Sequence, residues 1–239
     1  MALYKDSIIK PAKNLMVFLH GLGSDASDLF PISEYFADKM PDTAFISLNG
    51  IENCDLFPYG FQWFSLANRD DVNVKSELYR VKEKVEYKIN QKAIELNIQE
   101  ENIILFGFSQ GAMMSLFLSF IASKPYKAVI ASSGRLLLPD MPQNDEFTQD
   151  VMHQNKLYNL HENINSQSIP HYNILNLSTP ICLLHGSIDH VVEYKHSLEA
   201  HEILKKFGIK TAIHISKNLQ HSIDLEGINF AIRFLENLL

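Results

Sequence analysis

The chain has 239 residues, 46% of them hydrophobic and 21% charged, a composition that suits one large α/β domain better than two small ones. Its 28 acidic and 21 basic side chains give a net charge of −7, and no Lys/Arg cluster forms the stripe a nucleic-acid ligand needs, so DNA and RNA are excluded as partners. No apolar run approaches the roughly 20 residues needed to span a bilayer, 1–13 lacks the apolar core of a signal peptide, and two cysteines, Cys54 and Cys182, make no disulfide framework, so a reducing, cytoplasmic location is expected.

Strand and helix patterns alternate along the chain. Leu15-Met16-Val17-Phe18-Leu19 is a continuous apolar run, as in a strand covered on both faces. Residues 25–39 read as helical, Ala44-Phe45-Ile46-Ser47-Leu48 as the next strand, and 49–71 as a long irregular stretch rich in aromatics, Gly and Pro. Val74, Leu78, Val81, Val85, Ile89, Ala93 and Leu96 recur at spacings of three and four, the clearest helix in the sequence. Strands at 102–106 and 128–131 bracket an apolar helix at 112–122. Beyond them follow a strand at 181–184, a helix at 194–207, a strand at 212–215 and a closing helix at 224–238. This alternation predicts a mostly parallel sheet with helices on both faces, with any ligand beyond the carboxyl ends of its strands. Residues 136–177 break the pattern. They are polar, weakly periodic and too long for a plain connection, and are expected to be an insertion near the site or a lid, with 147–160 able to form a short amphipathic helix.

Gly107-Phe108-Ser109-Gln110-Gly111 lies between the strand at 102–106 and the helix at 112–122. A Gly-x-Ser-x-Gly in that setting is a nucleophile elbow, where small flanking residues let strand and helix approach closely and the serine hydroxyl is presented at the sheet edge. A serine hydroxyl needs a base to accept its proton and a carboxylate to orient the base, in the order Ser, Asp or Glu, His along a hydrolase chain. Asp189 follows the strand at 181–184, and His221 precedes the last helix, on the loop after the strand at 212–215. Singly, Asp189 could be a turn or capping residue and His221 a polar residue at a helix N-terminus. Together they stand in the right order on strand-end loops. For the oxyanion, the N–H after the nucleophile belongs to Gln110, and the loop His20-Gly21-Leu22-Gly23 after the first strand offers the N–H of Leu22. His20 itself reads as a structural residue under that loop.

Leu19-His20-Gly21-Leu22-Gly23, Gln62-Trp63-Phe64, Gly107-Phe108-Ser109-Gln110-Gly111, His185-Gly186-Ser187-Ile188-Asp189 and His221-Ser222 together resemble the phospholipase/carboxylesterase family, which includes the acyl-protein thioesterases. The resemblance covers most of the chain, in order. It implies an α/β-hydrolase fold, a triad of Ser109, Asp189 and His221, oxyanion N–H groups from Leu22 and Gln110, and no cofactor. It also implies a place for Trp63 beside the acyl pocket, although a plain core aromatic is the open alternative. The chain departs from the family pattern at Ala112, where a second Gly is usual, at Val192-Glu193, where Val-Pro is usual, and in the longer connection at 136–177.

Hydrolysis of short- to medium-chain acyl esters through an acyl-enzyme is therefore the expected activity. An acyl-protein thioesterase or a lysophospholipase is the alternative, and a non-catalytic binding module on the same scaffold the rival from another class. Ten histidines raise a metal site, but there is no His-Glu-x-x-His and no paired-cysteine spacing. Substrates are expected to be small-molecule or acyl-protein esters. A homodimer through an exposed strand edge or the insertion stays open.

Overall fold

A computed structural model describes residues 2–140 and 175–238. The 147–160 helix and most of the 136–177 insertion thus lie outside the described residues.

The strands are β1 (Ala2–Lys5), β2 (Asn14–Leu19), β3 (Thr43–Leu48), β4 (Glu52–Asn53), β5 (Phe61–Gln62), β6 (Ile103–Phe108), β7 (Ala128–Ser132), β8 (Ile181–Gly186) and β9 (Thr211–Ser216). The helices are α1 (Ala26–Leu29), α2 (Ser33–Ala37), α3 (Asp71–Glu95), α4 (Gln110–Ile121), α5 (Lys195–Lys206) and α6 (Leu225–Glu236). Seven strands form one sheet in the order β1-β3-β2-β6-β7-β8-β9, parallel throughout except for β1, which pairs antiparallel with β3. The alternation of elements predicted this mostly parallel sheet, and the α/β-hydrolase fold is the one the family resemblance implied.

Two apolar layers explain the unbroken hydrophobic runs. In β2, Leu15, Val17 and Leu19 point to a cluster shared with α3, α4 and α5. Met16 and Phe18 point the other way, to one shared with α1, α2 and α6. A central strand with helices on both sides has no polar face. The long helix α3 is capped by Asp70, whose side chain accepts from the Asn73 N–H. It turns Val74, Leu78, Val81, Val85 and Ile89 inward.

The structure refines the sequence reading in three places. Residues 25–39 form two short α-helices separated by a 3-10 turn over Phe30–Ile32. Pro31 supplies no N–H for a continuous helix, which breaks the run. The stretch 49–71 carries an antiparallel ribbon of β4 and β5. An edge strand, β1, precedes the first predicted one; its half-exposed pattern gives no apolar run to read.

Connections from β2 run to β3 on one side, whereas β6, β7, β8 and β9 follow one another on the other. The direction reverses between β2 and β6. In parallel sheets the crevice for a ligand opens at the carboxyl ends of the strands at such a reversal, and here it opens between the loop after β2 and the elbow after β6.

Candidate active site

The elbow is built by close contact. A Cβ at Gly107 would come 2.3 Å from the Gly111 carbonyl oxygen, and one at Gly111 would come 1.9 Å from the Leu19 carbonyl oxygen. Only glycine permits α4 to start against β2 and β6 at this distance. Ser109 between them has φ 53° and ψ −113°, a strained backbone of the kind that persists only where its surroundings over-determine it. Its N–H donates to the Ser132 carbonyl at 2.8 Å, tying the turn to the end of β7. Its side chain caps nothing in α4, so the hydroxyl is left to other partners.

The loops after β6, β8 and β9 converge on one edge because the strands are parallel. His221 Nε2 lies 3.0 Å from Ser109 Oγ, and His221 Nδ1 lies 2.7 Å from Asp189 Oδ2. Asp189 accepts only, so His221 carries its proton on Nδ1 and presents a bare Nε2 to the serine hydroxyl. The other oxygen, Asp189 Oδ1, accepts from the N–H groups of Val191 and Val192 at 2.8 and 2.9 Å. Burial alone would raise the Asp189 pKa. The hydrogen bonds from His221, Val192 and Val191 outweigh it and hold the carboxyl below the usual carboxylate range. The Asp189 side chain is wholly buried, whereas His221 is 19% exposed, so the imidazole faces the crevice. Phe108 packs against the His221 ring, centroids 4.9 Å apart.

The loop His20-Gly21-Leu22-Gly23 is positioned from below. The Gly50 N–H donates to His20 Nε2 at 2.9 Å, which fixes the proton of this buried imidazole on Nδ1. His20 Nδ1 then donates to the Gly21 carbonyl at 2.7 Å. In a trans peptide the N–H of Leu22 points opposite to that carbonyl, away from His20. The loop is held from the side by the β4–β5 ribbon: the Gly23 N–H donates to the Phe61 carbonyl and the Phe61 N–H to the Ser24 carbonyl. Gln110, at the first turn of α4, has its backbone N–H free of any protein acceptor among the described residues, as has Leu22.

Trp63 is fully buried. Its Nε1 donates to the His20 carbonyl at 2.8 Å and its ring lies against His20, centroids 5.3 Å apart, so it stands beneath the loop after β2. The Gln110 side chain has a second task that its position in the elbow did not reveal. Its Oε1 accepts from the Trp63 N–H at 2.9 Å and its Nε2 donates to the Phe64 carbonyl at 2.7 Å. No local pattern signals a bond across 47 residues. Among the described residues no group of three His, Cys, Asp or Glu side chains could hold a metal ion.

A model described as phospholipase/carboxylesterase matches residues 6–161 and 158–239. The chain belongs to the phospholipase/carboxylesterase family. As a phospholipase/carboxylesterase member it is 28% identical to the esterase YpfH of Escherichia coli over 232 residues, 95% of this chain and 83% of that protein. It is 26% identical to acyl-protein thioesterase 1 of Candida albicans over 245 residues, 95% of this chain and 93% of the thioesterase. The crystal structure of esterase PE8 superposes with a TM-score of 0.80 at 27% identity, covering 100% of this chain and 98% of that one. The carboxylesterase of Bacillus cereus shares the fold with a TM-score of 0.73 at 16% identity, covering 100% of this chain and 94% of that one. Like other phospholipase/carboxylesterase proteins, this one is a serine hydrolase acting on ester bonds. No helix among its described residues is long and apolar enough to cross a membrane.

Two buried imidazoles, His20 and His185, are expected to make the fold acid-sensitive. Burial pushes the pKa values of both His20 and His185 below the ordinary imidazole range. A histidine with a depressed folded-state pKa binds fewer protons than its unfolded counterpart, so stability rises with pH across the interval between the two values. We expect unfolding free energy to fall as pH drops below about 6.5, by up to about 1.4 kcal/mol per pH unit for each histidine. Urea midpoints measured from about pH 7 to about pH 5 check this; a flat profile would contradict neutral burial of both rings.

Proposed function

We propose that the chain works as a single α/β-hydrolase domain, a carboxylesterase that cleaves short- to medium-chain acyl esters through Ser109, His221 and Asp189. The observation that carries this reading is the continuous hydrogen-bond chain from Ser109 Oγ through His221 to Asp189, at 3.0 and 2.7 Å. His221 Nε2 takes the hydroxyl proton as Oγ attacks the carbonyl carbon, and Asp189 stabilises the imidazolium that forms. The tetrahedral oxyanion is received by the N–H groups of Leu22 and Gln110. Collapse breaks the bond to the leaving alcohol, which takes the proton from His221. Water, deprotonated by the same imidazole, then attacks the acyl-enzyme and releases the acid and free Ser109. No step needs a cofactor.

Exposed apolar side chains flank the site on two sides. Leu56, Phe57 and Tyr59 lie on the β4–β5 ribbon, and a Cβ at Gly23 would come 2.6 Å from the Phe57 ring. Ile188 and Val191 are exposed on either side of Asp189. An acyl chain fits such flanks, with Trp63 supporting the pocket from beneath. The same apolar surround favours a second reading, a thioester of an acylated protein or a lysophospholipid. Two unpaired cysteines, Cys54 and Cys182, suit a cytoplasmic location.

Rates over a ladder of p-nitrophenyl esters from acetyl to palmitoyl, each paired with its thioester, test the substrate assignment. The expected result is a maximum in kcat/KM at short to medium length with oxygen esters at least matching thioesters. A maximum at the longest chains with a thioester preference would move the assignment to the second reading.

A further inference from the structure

His185 is the penultimate residue of β8 and faces α5, the same side of the sheet as Leu183. It is 2% exposed. Its ring has three polar neighbours. Nδ1 lies 2.7 Å from Ser197 Oγ on α5. Nε2 lies 2.8 Å from the Val192 carbonyl oxygen and 3.2 Å from Asp189 Oδ2.

A carbonyl and a carboxylate can only accept, so a bare Nε2 would set one lone pair against two others in a site closed off from solvent. The proton must therefore be on Nε2. Nδ1 is then free to accept the Ser197 hydroxyl proton. Burial opposes a second proton on the ring, so it stays neutral.

We propose that His185 is a positioning residue for ester hydrolysis: a neutral imidazole, protonated at Nε2, that holds the Asp189 carboxylate in register with His221. This rests on Asp189 being the partner of His221, as put forward above.

The Asp189 carboxylate has three hydrogen-bond donors, Val191 and Val192 N–H on Oδ1 and His221 on Oδ2, and the His185 Nε2–H, which donates to the Val192 carbonyl, stands beside Oδ2 at 3.2 Å. His185 thus binds the carbonyl of Val192, whose own N–H is one of the three, and so closes the turn from 189 to 192. Ser197 carries the fixation on to α5. The titratable side chains facing Asp189 are His221, from the loop after β9, and His185, from β8; His190 and Glu193 on the same turn are exposed.

The test has two arms. In the first, the wild-type protein is labelled with ¹⁵N-histidine, and ring-nitrogen NMR at neutral pH reads the tautomer, the His185 signals being assigned by their loss in His185→Gln. Protonated Nε2 with bare Nδ1 is expected; the opposite tautomer, or a cation, overturns the proposal. In the second, His185→Leu removes the donor and His185→Gln keeps an N–H donor near the position of Nε2. His185→Leu is expected to lower kcat by about ten- to a hundredfold with little change in KM. Without that donor the carboxylate is less neutralised and favours the His221 imidazolium, so the acid limb of kcat/KM moves to higher pH. His185→Gln is expected to recover most of the rate and return the limb. A folded His185→Leu with unchanged kcat and an unmoved limb overturns the proposal, and if neither variant folds the tautomer decides. Fluorophosphonate labelling of Ser109 in the wild type separates the two levels. A protein that does not label fails the underlying assignment, whereas one that labels and gives the contrary His185 results fails this inference alone.

Discussion

Ser109→Ala is expected to lower ester turnover by about 10⁵- to 10⁶-fold, the range found when a serine nucleophile is removed from an intact triad. The effect is chemical rather than structural. The Ser109 side chain caps no helix N–H, and the backbone bond from its N–H to Ser132 survives the change. The variant should therefore melt close to the parent. Activity should not fall to zero, because the N–H groups of Leu22 and Gln110 still polarise a bound carbonyl; a residue of about 10³- to 10⁴-fold over water is expected. Burst and steady-state kinetics with a p-nitrophenyl ester, alongside a thermal melt, measure both quantities. Turnover within tenfold of the parent would mean that another group attacks the carbonyl, and the proposed mechanism would be abandoned.

Asp189→Asn should cost about 10⁴-fold in kcat while leaving KM nearly unchanged. The reason lies in which neighbours can adapt. The N–H groups of Val191 and Val192 are backbone donors and cannot become acceptors, so they keep the amide oxygen on the side where Oδ1 now sits. The amide NH₂ must then face His221. A donor at that position forces the imidazole to bare Nδ1 and protonate Nε2, which turns a second donor toward Ser109 Oγ. An Nε2 that already carries a proton cannot take the one on the serine. Rate measurements near neutral pH, with the His221 tautomer read by NMR, check the argument. A rate within tenfold of the parent would show that Asp189 does not govern the imidazole.

The sheet and the three convergent side chains were legible for one physical reason. Buried parallel strands read as apolar runs, and Ser109 and Asp189 stand just beyond two of them, while His221 lies on the loop after the half-buried β9. Order along the chain plus position at a strand end was enough to bring them to one edge. What the sequence concealed depends on contacts with no local pattern. The indole of Trp63 reaching the His20 carbonyl, the Gln110 amide bridging Trp63 and Phe64, and the His185 ring against Asp189 each join distant segments or depend on a turn geometry. His185 was visible as a residue of the His-Gly-Ser-Ile-Asp run, yet nothing in that run says which way its ring turns. The split of 25–39 was foreshadowed by Pro31, whereas β1 and the β4–β5 ribbon are too short or too exposed for periodicity to find.

The meeting of Gly111 with the Leu19 carbonyl bears on how this enzyme could change its diet. Because the elbow helix rests directly on the end of β2, the Ser109 hydroxyl and the loop carrying the Leu22 N–H share one rigid mount. The ribbon tip around Leu56, Phe57 and Tyr59 is exposed and lies off that mount, but Phe57 packs on Gly23, so a graft that keeps position 57 would vary the apolar surround while sparing the loop. Variation is thus best borne at the periphery, whereas any side chain added at 111 would push the elbow helix off β2 and shift Ser109 relative to Leu22.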